Sequence, residues 1–154
     1  MTIHIRKAER NDAETIARYN AAMALETEHF ELELDRVVRG VNGMFDEPSR
    51  GFYLVAAEEN TIVGQLMITY EWSDWRNGTF WWIQSVYVLP EYRSQGVFRK
   101  LYDTVVEMAR QSGNVCGVRL YVEKENAHAH AVYKKLGMKI TDYDLLEVDF
   151  ILKR

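Results

Sequence analysis

The sequence predicts an α/β fold: a mixed sheet with helices on both faces, forming a single domain over residues 1–154. Stretches of apolar–polar alternation and stretches of helical spacing follow one another in the order β-α-α-β-β-β-α-β-α-β-β. A length of 154 residues suits one core, and 47% hydrophobic with 27% charged residues can fill and solvate it. No repeat, low-complexity tract or Pro/Ser-rich linker interrupts the chain; Pro48 and Pro90 stand at element boundaries.

Ile3, Ile5 and Lys7 alternate with their neighbours as a strand. Asn11 or Asp12, followed by Glu14, then caps a helix through Ile16, Tyr19, Met23 and Ala24. Glu31 to Gly40 reads as a short second helix, ended by the Gly40 and Gly43 region before Pro48. Phe52 to Ala57 and Ile62 to Tyr70 form a hairpin across the Glu59-Asn60 turn. Another strand, Thr79 to Leu89, follows a polar loop containing Asp74, Asn77 and Gly78. From Gly96 the positions Val97, Phe98, Leu101, Val105, Met108 and Ala109 recur with helical spacing up to Ser112-Gly113. Val118 to Val122 is a short strand. Asn126 then caps a helix whose Ala129, Val132, Tyr133 and Leu136 share one face, and Gly137 ends it. Two last strands are expected at Met138 to Thr141 and Leu145 to Leu152.

No apolar run reaches the roughly 20 residues needed to span a bilayer, and the alternating start does not read as a signal peptide. The expected location is cytoplasmic, without a membrane partner. The single cysteine, Cys116, rules out an internal disulfide; its neighbours Val115 and Val118 suggest a buried position rather than a nucleophile. A net charge of −4 argues against nucleic-acid binding and suits a cationic substrate. His4, His29, His128 and His130 form no metal-ligand pattern, so no metal is expected.

The segment Val86-Tyr87-Val88-Leu89-Pro90-Glu91-Tyr92-Arg93-Ser94-Gln95-Gly96-Val97-Phe98-Arg99 runs from a strand through a loop into a long helix. The first amides of such a helix lack intrahelical acceptors and carry the positive end of its dipole, so a phosphate or pyrophosphate fits there. Gly96 permits close backbone approach, and Arg93 and Arg99 supply charge; an ordinary strand-to-helix turn is the other reading. In the segment Asn126 to Met138, taken alone, Asn126 reads as a cap and Tyr133 as core.

Together these segments resemble the GCN5-related N-acetyltransferase (GNAT) superfamily, over roughly Phe52 to Met138. Arg93-x-x-Gly96-x-Phe98 matches the family's acetyl-CoA loop except at Phe98, where a small residue is usual. Asn126, Ala129, Tyr133 and Gly137 match the pattern Asn-x-x-Ala-x-x-x-Tyr-x-x-x-Gly in full. The resemblance implies a mostly antiparallel sheet and acetyl-CoA as co-substrate. It implies that the main chain of Val86, Tyr87 and Val88 pairs with the pantetheine arm and that Asn126 positions it. Ser94, Gln95, Gly96, Val97, Phe98 and Arg99 would hold the pyrophosphate.

The family reaction is direct attack of a neutral amine on the thioester in a ternary complex. Tyr133, with an ordinary pKa near ~10, can protonate the departing thiolate. Many relatives place a Glu on the strand before the coenzyme loop, where this chain has Gln84, which cannot act as a base. Gln84 can hold a water or the amine while the proton leaves toward Glu71, Asp74 or Glu123; Glu71 and Glu123 read equally as solvated strand carboxylates. Glu26, Glu28, Glu31, Glu33 and Asp35 crowd the segment that in this family borders the acceptor site, and would draw a cationic amine or simply form an exposed acidic face. Trp72, Trp75, Trp81 and Trp82 divide among core packing, a subunit interface (hence a homodimer) and a pocket wall.

The expected activity is therefore acetyl transfer to a small cationic primary amine, with some likeness to diamine or polyamine acetyltransferases. The alternatives are a protein or peptide amine acetyltransferase and a catalytically silent acyl-CoA-binding regulatory module.

Overall fold

A computed structural model describes residues 2–153. The chain forms two compact units, Met1–Leu120 and Tyr121–Arg154. In the first, β1 (His4–Lys7), β2 (Gly51–Glu58), β3 (Thr61–Ser73), β4 (Gly78–Val88) and β5 (Val115–Leu120) make a five-stranded sheet in the order β1-β2-β3-β4-β5. Neighbours are antiparallel except β4 and β5, which are parallel. A parallel pair needs a crossover, here the helix α3 (Val97–Ser112). This is the mixed, mostly antiparallel sheet expected.

Strand alternation sends each face to a different helix layer. Tyr53, Val55 and Ile62 pack with Ala13, Ile16 and Ala17 of α1 (Ala13–Glu28) and with Val41 and Met44 of α2 (Leu34–Asp46). Leu54, Ala56, Leu66, Ile68 and Ile83 pack on the other face with Val97, Leu101, Val105 and Ala109 of α3. The α3 spacing read from Val97 to Ala109 is its buried stripe.

Several local readings change. Asp12 precedes α1, but its carboxylate accepts from Arg6 Nη1 at 2.8 Å, Arg6 Nη2 at 3.1 Å and the Glu9 amide at 2.7 Å instead of capping the helix. The helix α2 starts at Leu34, not Glu31, and runs through both Gly40 and Gly43 to Asp46. Gly43 leaves room for Arg50, whose Nη1 donates to the Gly43 carbonyl at 2.7 Å. The start of β5 lies at Val115, because pairing with Thr79 and Phe80 sets it. Cys116 is half-buried. Trp81 is core, Trp82 is half-buried, and Trp72 and Trp75 are exposed.

The bonds from Arg6 and Glu9 hold the Asp12 carboxyl below its ordinary pKa, against the opposing effect of burial. Its stabilisation is therefore present above about pH 4 and is lost as pH falls through the lowered folded-state value. Asp12→Asn is expected to cost about 1 kcal/mol at neutrality, a value discounted for the exposed Arg6, and to flatten the acid limb of stability. Urea titration of both proteins between pH 2 and 7 measures this.

In the second unit, α4 (Ala127–Lys135) is capped as expected, with the Ala129 amide donating to Asn126 Oδ1 at 3.0 Å. Gly137, at φ 91°, ends it. The two final strands do not form among the described residues. At Thr141 and Asp149 the side chains take local amides instead: Thr141 Oγ1 from Tyr143 at 3.3 Å, Asp149 Oδ1 from Ile151 and Leu152 at 2.8 Å. Such turns compete with a ladder, and alternation supplies an apolar face without supplying a partner strand. Leu145, Leu146, Val148 and Phe150 are left exposed.

Candidate active site

The centre of the first unit's site is an irregularity in β4. The β3–β4 register passes from Gln65↔Tyr87 to Met67↔Gln84, so Ser85 and Val86 together face Leu66 as a β-bulge. Ser85 takes φ 54°, a left-handed conformation rare for a residue with a side chain. The parallel ladder with β5 ends at Ile83↔Leu120, before the bulge. Main-chain groups of Gln84 to Val88 on that edge are thus outside the β4–β5 ladder and suited to pair with an extended ligand.

Beyond Val88 the chain turns through Pro90–Tyr92 and reaches α3 by two more left-handed residues, Ser94 at φ 63° and Gly96 at φ 81°. The first intrahelical bond runs from the Lys100 amide to the Gly96 carbonyl at 3.1 Å, so the amides of Val97, Phe98 and Arg99 precede the helical ladder. A Cβ built on Gly96 would meet nothing within 4 Å among the described residues other than its chain neighbours. The helix start is seated by Val97, which lies where a side chain at Gly64 would be, 2.9 Å from its Cγ1. Loop amides, an open space above Gly96 and the α3 dipole form a fitting cradle for a pyrophosphate.

The two arginines are engaged within the protein. Arg93 Nη2 donates to Glu26 Oε2 and Arg93 Nε to the Val88 carbonyl, both at 2.9 Å. It thus ties the loop to α1 and to the end of β4. Arg99 pairs with Asp103 one turn along α3, at 3.1 Å. Gln95 Nε2 donates to the Glu91 carbonyl at 2.9 Å. Phe98 turns its ring toward Tyr102, centroids 6.2 Å apart, and packs partly against the α3-side core.

On the α1 face of the sheet, Gln84 Nε2 donates to Thr69 Oγ1 at 3.0 Å. Glu71 Oε1 accepts from Trp82 Nε1 and from Arg119 Nη1, each at 2.9 Å. Arg119 also lies 3.6 Å from the Phe80 ring centroid. Glu28 ends α1 and Glu31 lies in the connection to α2, both exposed. Burial raises the Tyr87 phenol, whose ring lies tilted at 46° against Tyr19, centroids 5.3 Å apart.

In the second unit, Tyr133 is half-buried, and burial pushes its phenol above the ordinary tyrosine value. Glu123 Oε2 accepts from the Glu125 amide at 3.0 Å in the turn before Asn126. Among the described residues no group of His, Cys, Asp and Glu is arranged to hold a metal ion, and no helix is long and apolar enough to cross a membrane.

The family model described as the acetyltransferase (GNAT) family matches residues 13–138. The chain belongs to the GNAT family, the acetyl-CoA-dependent N-acetyltransferases. A solved structure described as a possible acetyltransferase from Clostridium difficile 630 superposes with TM-score 0.90 at 44% identity, covering 99% of this chain and 100% of that one. A predicted acetyltransferase from Clostridium acetobutylicum, solved with acetyl-CoA, shares the fold at TM-score 0.78 and 22% identity, with 97% of each chain covered. A thialysine N-epsilon-acetyltransferase of Bos taurus is 35% identical over 89 residues, 57% of this chain. The matched part is 48% of that relative's length.

The strand-to-loop-to-helix run from Val86 to Arg99 is legible in the sequence, and the residues that brace it are not. Glu26 was one carboxylate among several. Gln65 is legible as the one polar residue within Ile62-Val63-Gly64-Gln65-Leu66-Met67-Ile68. The bulge at Ser85 leaves no sequence mark, since serine is at home in an ordinary strand.

Proposed function

We propose that this GNAT-family chain acetylates a primary amine on a small cationic acceptor, by direct attack on acetyl-CoA in a ternary complex. The observation carrying it is the continuous path formed by the Gln84–Val88 edge, the left-handed Ser94 and Gly96, and the first amides of α3. Val86, Tyr87 and Val88 lie where main-chain groups can pair with a pantetheine arm, and Ser94 to Arg99 where amides can meet a pyrophosphate. Arg93 acts here by shaping the loop through Glu26 and Val88.

The amine, having lost one proton to water, attacks the thioester carbonyl; the N–C bond forms, the C–S bond breaks, and the nitrogen then releases its second proton to water, which restores the proton Tyr133 gives to sulfur. Tyr133 donates its proton to the leaving sulfur, and its raised pKa keeps that proton on the phenol through neutrality. Gln84, held by Thr69, positions the amine or its water. Glu71 and Glu123 stay the candidate final proton acceptors. Glu28 and Glu31 supply an exposed negative field for a cationic acceptor. The name of the bovine relative, a thialysine N-epsilon-acetyltransferase, supports an amine acceptor. A cytoplasmic homodimer belongs to the same reading; the exposed Trp72 and Trp75 support a subunit contact.

Acetyl-CoA is expected to raise Tm in a concentration-dependent way, by about 2.7 kcal/mol of stability at one hundred times Kd, and adenosine to do far less. Release of free thiol, followed over a panel of diamines, amino acids, aminoglycosides and peptides, tests the acceptor. Turnover confined to peptides overturns the small-amine reading. Coenzyme binding without turnover on any class makes the chain a silent acyl-CoA-binding module.

A further inference from the structure

We infer that Gln65 is a positioning residue: its side-chain amide holds the Ser85 carbonyl and thereby aims the Val86 N–H at the acyl end of the bound coenzyme. The inference rests on the acetyl-transfer reading for its kinetic consequence, though not for its structural one.

Gln65 is the only polar residue fully buried among the described core residues, at 0% exposure. Its strand neighbours are Val63, Gly64, Leu66 and Met67, and an unbranched apolar side chain would fill the same space. Its Oε1 is buried and has no hydrogen-bond partner, which a core built only for packing would avoid. Its Nε2 is fully used. It donates to Asn20 Oδ1 of α1 at 2.9 Å and to the Ser85 carbonyl at 3.4 Å. The first bond fixes which end of the amide faces the bulge; the second acts on the bulge.

The Ser85 carbonyl and the Val86 N–H belong to one trans peptide and point in opposite directions. Holding the carbonyl toward Gln65 therefore turns the N–H away from it. Ser85 is in a left-handed conformation at φ 54°, so this peptide orientation is disfavoured on its own and needs a partner to hold it. Tyr19, next to Asn20, adds to this bracing: its hydroxyl donates to the Ile62 carbonyl at 2.6 Å and its ring packs, tilted, against Tyr87. Neighbouring residues of α1 thus brace both strands around the bulge.

A coenzyme whose pyrophosphate lies at Ser94 to Arg99 runs back along Val88 and Tyr87, which places its thioester beside Val86. Negative charge grows on the thioester oxygen only as the amine attacks. A pre-aimed N–H at that point stabilises the transition state more than the ground state, so the defect should fall on kcat rather than on coenzyme binding.

The test is Gln65→Met, which keeps length and removes the donor together with the orphaned oxygen, and Asn20→Ala, which leaves Gln65 in place but frees its amide to turn. Three quantities are read: the Val86 amide resonance and its hydrogen exchange in the coenzyme-free protein, the acetyl-CoA Kd, and kcat. Gln65→Met is expected to shift the Val86 resonance and change its exchange rate, to lower kcat about 10- to 100-fold, and to leave Kd little changed. Asn20→Ala should move the same quantities in the same direction by less, and it carries the test if Gln65→Met does not fold. An unmoved Val86 amide in a folded variant, or a moved amide with kcat unaltered, overturns the inference. Should the unaltered protein turn over no amine at all, the acetyl-transfer reading fails, and the Val86 amide alone then decides whether Gln65 holds the bulge.

Discussion

Tyr133→Phe is expected to lower kcat by about 10²–10⁴-fold while changing the acetyl-CoA Kd little, because the phenolic proton matters when charge develops on sulfur. The fold should be retained, because the ring still fills the same half-buried site. Burial raises the Tyr133 pKa above its ordinary value near ~10, so the proton is present throughout the neutral range. The ratio of wild-type to variant rates should therefore stay constant from neutrality to about pH 9 and shrink only above it, where the native phenol ionises. Pre-steady-state measurement of acetyl transfer checks both statements. An unchanged rate where chemistry limits turnover would leave Tyr133 as a packing residue of α4.

Gly96→Val should weaken acetyl-CoA binding by about 10²-fold, and the structure separates this from a folding defect. Apart from its chain neighbours, no described residue lies within 4 Å of a Cβ at Gly96, so the new side chain enters the space proposed for the pyrophosphate and not the core. The protein itself bears the cost of φ 81° at a residue with a side chain, about 1–2 kcal/mol. Each amide bond lost to a charged phosphate is worth ~1.5–3 kcal/mol, roughly one to two powers of ten in Kd. Gly96→Ala carries the same backbone cost with less bulk and should bind between the two. Calorimetric titration with acetyl-CoA, alongside Tm, distinguishes these terms; normal affinity in folded Gly96→Val would show that the coenzyme does not use this loop.

Much of the fold was legible because its signals are local. The stripe of Val97, Leu101, Val105 and Ala109, the Asn126 cap and the Gly137 stop each depend on residues a turn or two apart, and each stands where the spacing put it. Local signals also misled. Gly40 and Gly43 read as a helix end, yet α2 continues through them because packing of Val41 and Met44 outweighs glycine's low helix propensity. Alternation over Leu145 to Leu152 read as a strand, yet Asp149 takes the Ile151 and Leu152 amides into a turn.

The amino-acid sequence by itself determined which faces are apolar, that Asn126 caps α4, and that a glycine-containing turn precedes α3. Those follow from covalent neighbours, whose separation in space the chain dictates. The tertiary structure alone decided that β4 bulges at Ser85 and leaves the β5 ladder after Ile83, that Arg93 serves Glu26 and Val88, and that Gln65 is buried against Asn20 and the bulge. Arg93 and Glu26 are 67 positions apart, Arg119 and Glu71 48, Gln65 and Asn20 45. Hydrogen bonds of short range between such residues exist only after the sheet and α1 have packed, and no periodicity along the chain encodes which donor then meets which acceptor.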